Sequence, residues 1–305
     1  MTTTATVPES AIASKRPLMA WLLLVALALV WGSSFILIKR SLVSFLPEQV
    51  AAGRLLFGLL FFSPFLVQQS RSVEIRTLVG LRWKAFVAIA LIGFVIPAFI
   101  FAVAGAHLNS SLAGALNSLS PLFTMIVGAL FFGNPLRLRQ TTGIVLGLVG
   151  SMLLVFFSAS GEFAVNGYAL LIVLATLCYG LNINLISRYV SDLSALVSSA
   201  WIFAVAGSLS LLILLTSDFF GRVTRPEGLP ALLALITLGV VGSGLMSIVF
   251  NRVVQLASPL FASSVTYLIP IVALLWGFLD GERIYAAQYL GMAVCLAGVY
   301  LVNRK

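Results

Sequence analysis

Acidic side chains are scarce in this chain: 9 Asp and Glu in 305 residues, with none near the middle of an apolar segment. Proton-coupled carriers rely on buried carboxylates or histidines as relays, and the single histidine, His107, falls in a turn between two apolar runs. A proton relay is therefore not supported. The 2 cysteines, Cys178 and Cys295, lie apart inside apolar segments, which excludes a disulfide framework and a thiolate metal site. Both are expected to be packing residues. No Gly-x4-Gly-Lys-Ser/Thr pattern occurs, so this chain alone is not expected to bind ATP. Nor is there a Ser/His pair, a carboxylate pair or a metal cluster at membrane depth, so no enzyme activity, catalytic residue, cofactor or metal is expected.

What fills the chain is apolar surface. Hydrophobic residues make up 61% and charged residues 9%, against roughly 25% charged in soluble domains, which makes this an all-α polytopic membrane protein with membrane lipid as its surroundings. At about 20 apolar residues per crossing, ten spans fit, over 18–38, 49–67, 85–105, 111–132, 140–157, 167–187, 194–215, 230–250, 260–279 and 286–302. The net charge of +9 does not point to nucleic acid, because the basic residues sit in alternate loops. With the N-terminus inside, cytoplasmic segments hold Lys15, Arg16, Arg71, Arg76, Arg82, Lys84, Arg137, Arg139, Arg188, Arg252, Arg304 and Lys305, while Lys39, Arg40, Arg222, Arg225 and Arg283 fall outside. Both termini are expected in the cytoplasm, with the chain in a bacterial-type inner membrane.

The chain also repeats itself. Gln140-x2-Gly143-x6-Gly150 returns about 148 residues later as Gln288-x2-Gly291-x6-Gly298. Trp31-Gly32 answers Tyr179-Gly180, Arg40 answers Arg188, and Gly133 answers Gly281; with a one-residue shift, Ala113, Pro121 and Gly128 answer Ala262, Pro270 and Gly277. An odd number of spans separates equivalent points, so the second copy enters the membrane from the opposite side, as in inverted-repeat transporters. The expected division is a tail at 1–17, a first five-helix repeat at 18–157, a linker at 158–166, a second, inverted repeat at 167–302 and a C-terminus at 303–305.

Polar residues in the middle of spans are costly and usually face the protein interior. Pseudo-symmetric pairs qualify as substrate-binding candidates: Trp31 with Tyr179, Ser34 with Asn182, Asn117 with Thr266, and Ser118 with Tyr267. In spans one and six an aromatic ring stands three residues from a small hydrogen-bonding group, on one helical face, which suits an amphipathic solute. Helix-to-helix bonding is the competing explanation for these residues. Ser243, Ser247 and Asn251 extend a polar stripe along span eight. Pro97, Pro121 and Pro270, with Gly242, are candidate hinges, since an interior proline frees carbonyls and weakens a helix. Arg54, the one basic residue well inside a span, is expected to snorkel to the outer interface as an anchor to lipid or a carbonyl, with binding of a substrate carboxylate as the lesser alternative because span two packs peripherally in such bundles.

Ala28-Leu-Val-Trp-Gly-Ser-Ser-Phe35, Arg54, Ser111-Leu-Ala-Gly-Ala-Leu-Asn-Ser-Leu-Ser-Pro121 and Leu279-Asp-Gly-Glu-Arg283 resemble the drug/metabolite transporter superfamily, in its tandem EamA-type branch, from about residue 18 onward. Within it the chain looks most like the aromatic-amino-acid exporters. The resemblance implies ten helices, a central cavity, alternating access and export of amino acids or other small metabolites. One departure is that Gly133-Asn134-Pro135 stands where the second half has Gly-Glu-Arg. The expected function is secondary export of an amino acid or similar small metabolite, by facilitated flux rather than ATP hydrolysis. A proton-coupled drug or metabolite exporter is the alternative, and a membrane-embedded lipid-handling protein or a channel stands behind it. Phosphate esters fit poorly, because they call for several inward-facing Lys or Arg residues.

Overall fold

Several helices begin where the sequence supplies a start. The computed structural model describes residues 18–133, 138–156, 166–256, 265–283 and 285–303, with the side chains of Asn251 and Tyr267 among a few left undescribed. Helix α1 (Leu18–Ser41) turns tightly into α2 (Pro47–Ser70). Pro47 takes a first-turn position, where its missing N–H costs nothing, and the Gln49 side chain accepts the Leu46 N–H at 3.0 Å. The short α3 (Val73–Leu81) is capped by Ser72. It is followed by α4 (Trp83–Gly105) and α5 (Ser110–Phe132). Helix α6 spans Leu138–Phe156, α7 (Gly167–Tyr189) starts on an Asn166 cap, and α8 (Ala195–Leu215) starts on a Ser194 cap. Then come α9 (Phe219–Val223), α10 as three consecutive stretches (Gly228–Thr237, Leu238–Leu245, Met246–Leu256), α11 (Val265–Leu279) and α12 (Ala286–Asn303).

Among the described residues there is no strand. Seven helical stretches are long and apolar enough to cross a membrane: α1, α2, α4, α5, α7, α8 and Gly228–Phe250 of α10. Shorter apolar runs occupy α6, α11 and α12. The connections after the second helix of each half are not plain loops, since each holds a short helix, α3 and α9.

The two halves pack through exchanged pairs. Helix α6 lies along α12, and α2 along α8; α1 meets α11 as α7 meets α5. The repeated glycines make the first of these contacts. A Cβ on Gly150 would lie 2.9 Å from the Gly291 carbonyl oxygen, and one on Gly298 would lie 2.6 Å from that of Gly143. Late residues of one helix thus face early residues of the other, so α6 and α12 run antiparallel. Exchanging equivalent positions turns one contact into the other. In lipid, where hydrophobic drive between helices is weak, backbone approach of this kind supplies the packing energy.

Two long helices depart from regular α geometry at equivalent places. Leu91–Val95 in α4 and Leu238–Leu245 in α10 are π-helical. In α4 the wide turn precedes Pro97, and the Ile96 N–H reaches back to the Leu91 carbonyl. In α10 no proline is present, and Gly239, Gly242 and Gly244 let the wider turn pack against its neighbours. Helix α5 breaks between Asn117 and Ser120, just before Pro121, and the Ser120 hydroxyl donates to the freed Asn117 carbonyl at 2.8 Å. Pro270 lies inside α11 without a break in the described helix. Several expectations lie outside the described residues: the tail at 1–17, the Asn134-Pro135 turn, residues 157–165, Ala262 and the first residues of span nine, and residues 304–305.

Candidate functional site

Four of the polar positions singled out by the repeat fall in two equivalent contacts, α1 on α10 and α7 on α4. The Trp31 indole N–H donates to the Gly242 carbonyl at 3.0 Å, and its ring lies against Phe250 with centroids 5.5 Å apart. Ser34, one turn on, is buried and faces Gly242, where an added Cβ would sit 3.4 Å from its Oγ. Across the pseudo-two-fold, Tyr179 stacks on Phe101 at 6.0 Å, and Asn182 packs directly on Gly93. Each π-helical segment therefore presents a glycine to the polar residue of the opposite repeat's first helix.

Not every bonding group here is satisfied. Asn182 is buried and its Oδ1 has no hydrogen-bond partner, and the same holds for Oδ1 of Asn117 at the break in α5. Buried unpaired acceptors are costly and call for a partner. Ser118 behaves differently from its neighbour: it is buried and returns its hydroxyl to the Ala115 carbonyl at 2.6 Å, so it serves its own helix rather than the cluster. Thr266 is partly buried on α11, and the Tyr267 side chain lies outside the described residues. Pro97 and Gly242 are buried beside the cluster.

The sequence places Arg54 at the lipid interface; the structure turns it inward. Its Nε donates to the Ser243 hydroxyl at 2.8 Å, and Tyr179 is within electrostatic reach of the guanidinium. The close packing of α2 on α10, with the Arg54 backbone against Gly239, brings the side chain to Ser243. Ser243 in turn donates to the Leu238 carbonyl inside the π segment.

Sequence reasoning also missed a clasp at one end of the bundle. Lys39 pairs with Asp280 at 2.5 Å and with Glu282 at 3.1 Å, and Arg40 pairs with Asp280. Glu282 then accepts the backbone N–H groups of Ser110 and Ser111, at 2.9 and 3.2 Å, and the Ser111 hydroxyl at 2.9 Å. One carboxylate thereby caps α5 from the end of α11 while holding α1. Lys39 holds the Asp280 carboxyl below the usual carboxylate range, against the opposing effect of burial. Burial pushes Glu282 up, but the Ser110 N–H, Lys39 and Ser111 together outweigh it and leave it lowered. Gly281 gives the turn its left-handed residue at φ 72°, as Gly133 does in the first half at φ 70°. The signal was present as a basic pair ending one span and an acidic pair ending another.

At the opposite end, Arg82 grips Asp192 with both terminal nitrogens, at 2.5 and 2.8 Å. The equivalent place at the clasped end is Ser44, whose hydroxyl donates to the Arg222 carbonyl at 3.1 Å while Arg222 Nη1 donates to the Ser44 carbonyl at 2.9 Å. A cavity of about 550 Å³ lies there, lined in part by Ser44, Phe45, Leu46, Arg222, Arg225 and Glu227.

The model of the EamA-like transporter family matches this chain twice, over residues 18–156 and 166–304. This chain belongs to the EamA-like transporter family. Like the named transporters among its relatives, an EamA-like protein points to transport rather than catalysis. The chain is 25% identical over 287 residues to the uncharacterized inner membrane transporter YedA of Escherichia coli K12, covering 92% of this chain and 89% of the relative. It is 26% identical over 279 residues to a probable amino-acid metabolite efflux pump of Salmonella typhimurium, covering 89% and 90%. A protein of known crystal structure shares the fold at a TM-score of 0.61 and 20% identity, covering 92% of this chain and 95% of the other. The tandem copies of this EamA-like transporter are the two halves whose glycines meet between α6 and α12.

Proposed function

We propose that this chain is a ten-span secondary carrier that exports amino acids or similar small metabolites across a bacterial-type inner membrane by alternating access and facilitated flux. The observation that carries the reading is the exchanged pair of glycine contacts between α6 and α12, which relates the halves as antiparallel copies, the architecture of alternating-access carriers. In this reading α6, α11 and α12 complete the ten crossings, the repeats occupy 18–157 and 167–302, and both termini are cytoplasmic. The Lys39 clasp then closes the outer end and the Arg82–Asp192 pair the inner end.

The solute site lies between the halves, at Trp31, Ser34, Asn117, Tyr179, Asn182 and Ser243, with Thr266 and Tyr267 on the α11 side. Aromatic faces border an apolar side chain, and the unpaired amide oxygens of Asn117 and Asn182 accept its polar end. The hinges are Pro97, Pro121, Gly242 and Pro270, three of which adjoin or lie in helix segments that already leave α geometry. The name of the Salmonella relative supports an amino-acid substrate. The test is counterflow of a labelled amino-acid panel in liposomes. Saturable flux that falls in Trp31→Ala and Asn117→Ala supports the reading, and uptake driven by a pH gradient alone would replace it with a proton-coupled exporter.

A further inference from the structure

We propose that Arg54, oriented by Ser243, is the carboxylate-binding position of the central site, so that the solutes carried are small organic acids and amino acids, not amines or neutral compounds. This rests on the reading of a central solute site and specifies its chemistry. Arg54 is partly buried on a membrane-spanning helix, and among the described residues it pairs with no carboxylate; its one hydrogen bond is from Nε to the neutral Ser243 hydroxyl. Glu48, the nearest acid along α2, is exposed at the start of that helix. A partly desolvated cation on a membrane-spanning helix without a counter-ion is unfavourable until an anion arrives.

Fixing Nε leaves the two terminal nitrogens as a planar fork, the geometry that binds a carboxylate bidentately. The surroundings complete the match. Tyr179, within electrostatic reach of the guanidinium, shares its helix face with Asn182, whose buried Oδ1 has no donor. That oxygen is the partner an α-ammonium group requires. An amino acid satisfies both groups, an organic acid satisfies the guanidinium, and the corresponding amine or amide leaves the charge uncompensated.

The experiment uses the full-length protein purified in detergent and in liposomes. Leucine and phenylalanine are compared with their amides, their decarboxylated amines and their deaminated acids, in thermal-shift binding and as competitors in counterflow. The expected result is that carboxylates outcompete amides and amines on the order of 10- to 100-fold, as for a charged hydrogen bond, and that Arg54→Gln removes this preference while Arg54→Lys keeps part of it. Ser243→Ala, which leaves the charge in place but frees Nε, is expected to weaken carboxylates selectively. Equal competition by acids and amides in the native protein overturns the proposal while leaving the carrier reading intact. Arg54-dependent binding of carboxylates with no flux upholds the carboxylate site and overturns the carrier reading. Should Arg54→Gln fail to fold, the native preference and the Arg54→Lys and Ser243→Ala shifts decide.

Discussion

Arg54 on α2 donates from Nε to the hydroxyl of Ser243 on α10, 2.8 Å away and across the boundary between the two repeats. The acceptor sits in a π-helical segment beside Gly242, whose carbonyl holds the Trp31 indole. Removing that acceptor leaves a charged donor without its partner. Ser243→Ala is expected to cost about 1–2 kcal/mol of stability, read as a lower midpoint in thermal unfolding in detergent, with Ser243→Thr close to the native protein.

The α6–α12 contact predicts a graded glycine series. A Cβ on Gly298 would meet the backbone of Gly143 and Gly147, which cannot move aside as a flexible side chain can. Gly298→Leu is expected to cost about 2 kcal/mol or more through overpacking. Gly80 on α3 has nothing within 4 Å of such an atom, so Gly80→Ala is expected to leave the midpoint level or slightly raised. Equal loss in both variants would count against the close helix crossing.

The clasp at Lys39 predicts an acid-sensitive end. Asp280 and Glu282 both have folded-state values held below the ordinary range, so the unfolded chain takes up these protons first. The stability they contribute is fully present above the unfolded values near 4 and is lost as pH falls through the lower folded values. Unfolding midpoints recorded from neutral pH to about pH 3 are expected to fall, and Glu282→Gln is expected to start lower at neutral pH and fall less. A Glu282→Gln profile parallel to the native one would contradict this.

Pro121 predicts a kinetic effect. The break between Asn117 and Ser120 exists because residue 121 cannot donate to the Asn117 carbonyl, which the Ser120 hydroxyl takes instead. Pro121→Ala lets α5 straighten, and is expected to lower the maximal rate of counterflow several-fold with little change in half-saturation. A change confined to half-saturation would place Pro121 in binding instead.

The sequence made the helical membrane fold and the tandem repeat legible because long apolar runs and glycine spacing are local patterns. The repeat marks Ser34 and Asn182 as equivalent positions, and in the structure Ser34 meets Gly242 as Asn182 meets Gly93. What the sequence did not reveal was set by contacts between distant segments. Arg54 reads as a lipid-facing arginine until α10 is laid against α2, and the Lys39 clasp forms only once the end of α11 reaches the end of α1. Ser118 looks like part of the polar cluster by spacing, but the helix break turns its hydroxyl back to Ala115. The π-helical segments have no plain signature, as Pro97 adjoins one and only glycines mark the other.

The most direct test of the carrier account is counterflow of a labelled amino-acid panel in liposomes holding the purified protein, with and without an imposed pH gradient. The account predicts saturable flux that ignores the gradient and falls in Trp31→Ala and Asn117→Ala. Accumulation that requires the gradient, or flux untouched by either substitution, would contradict it.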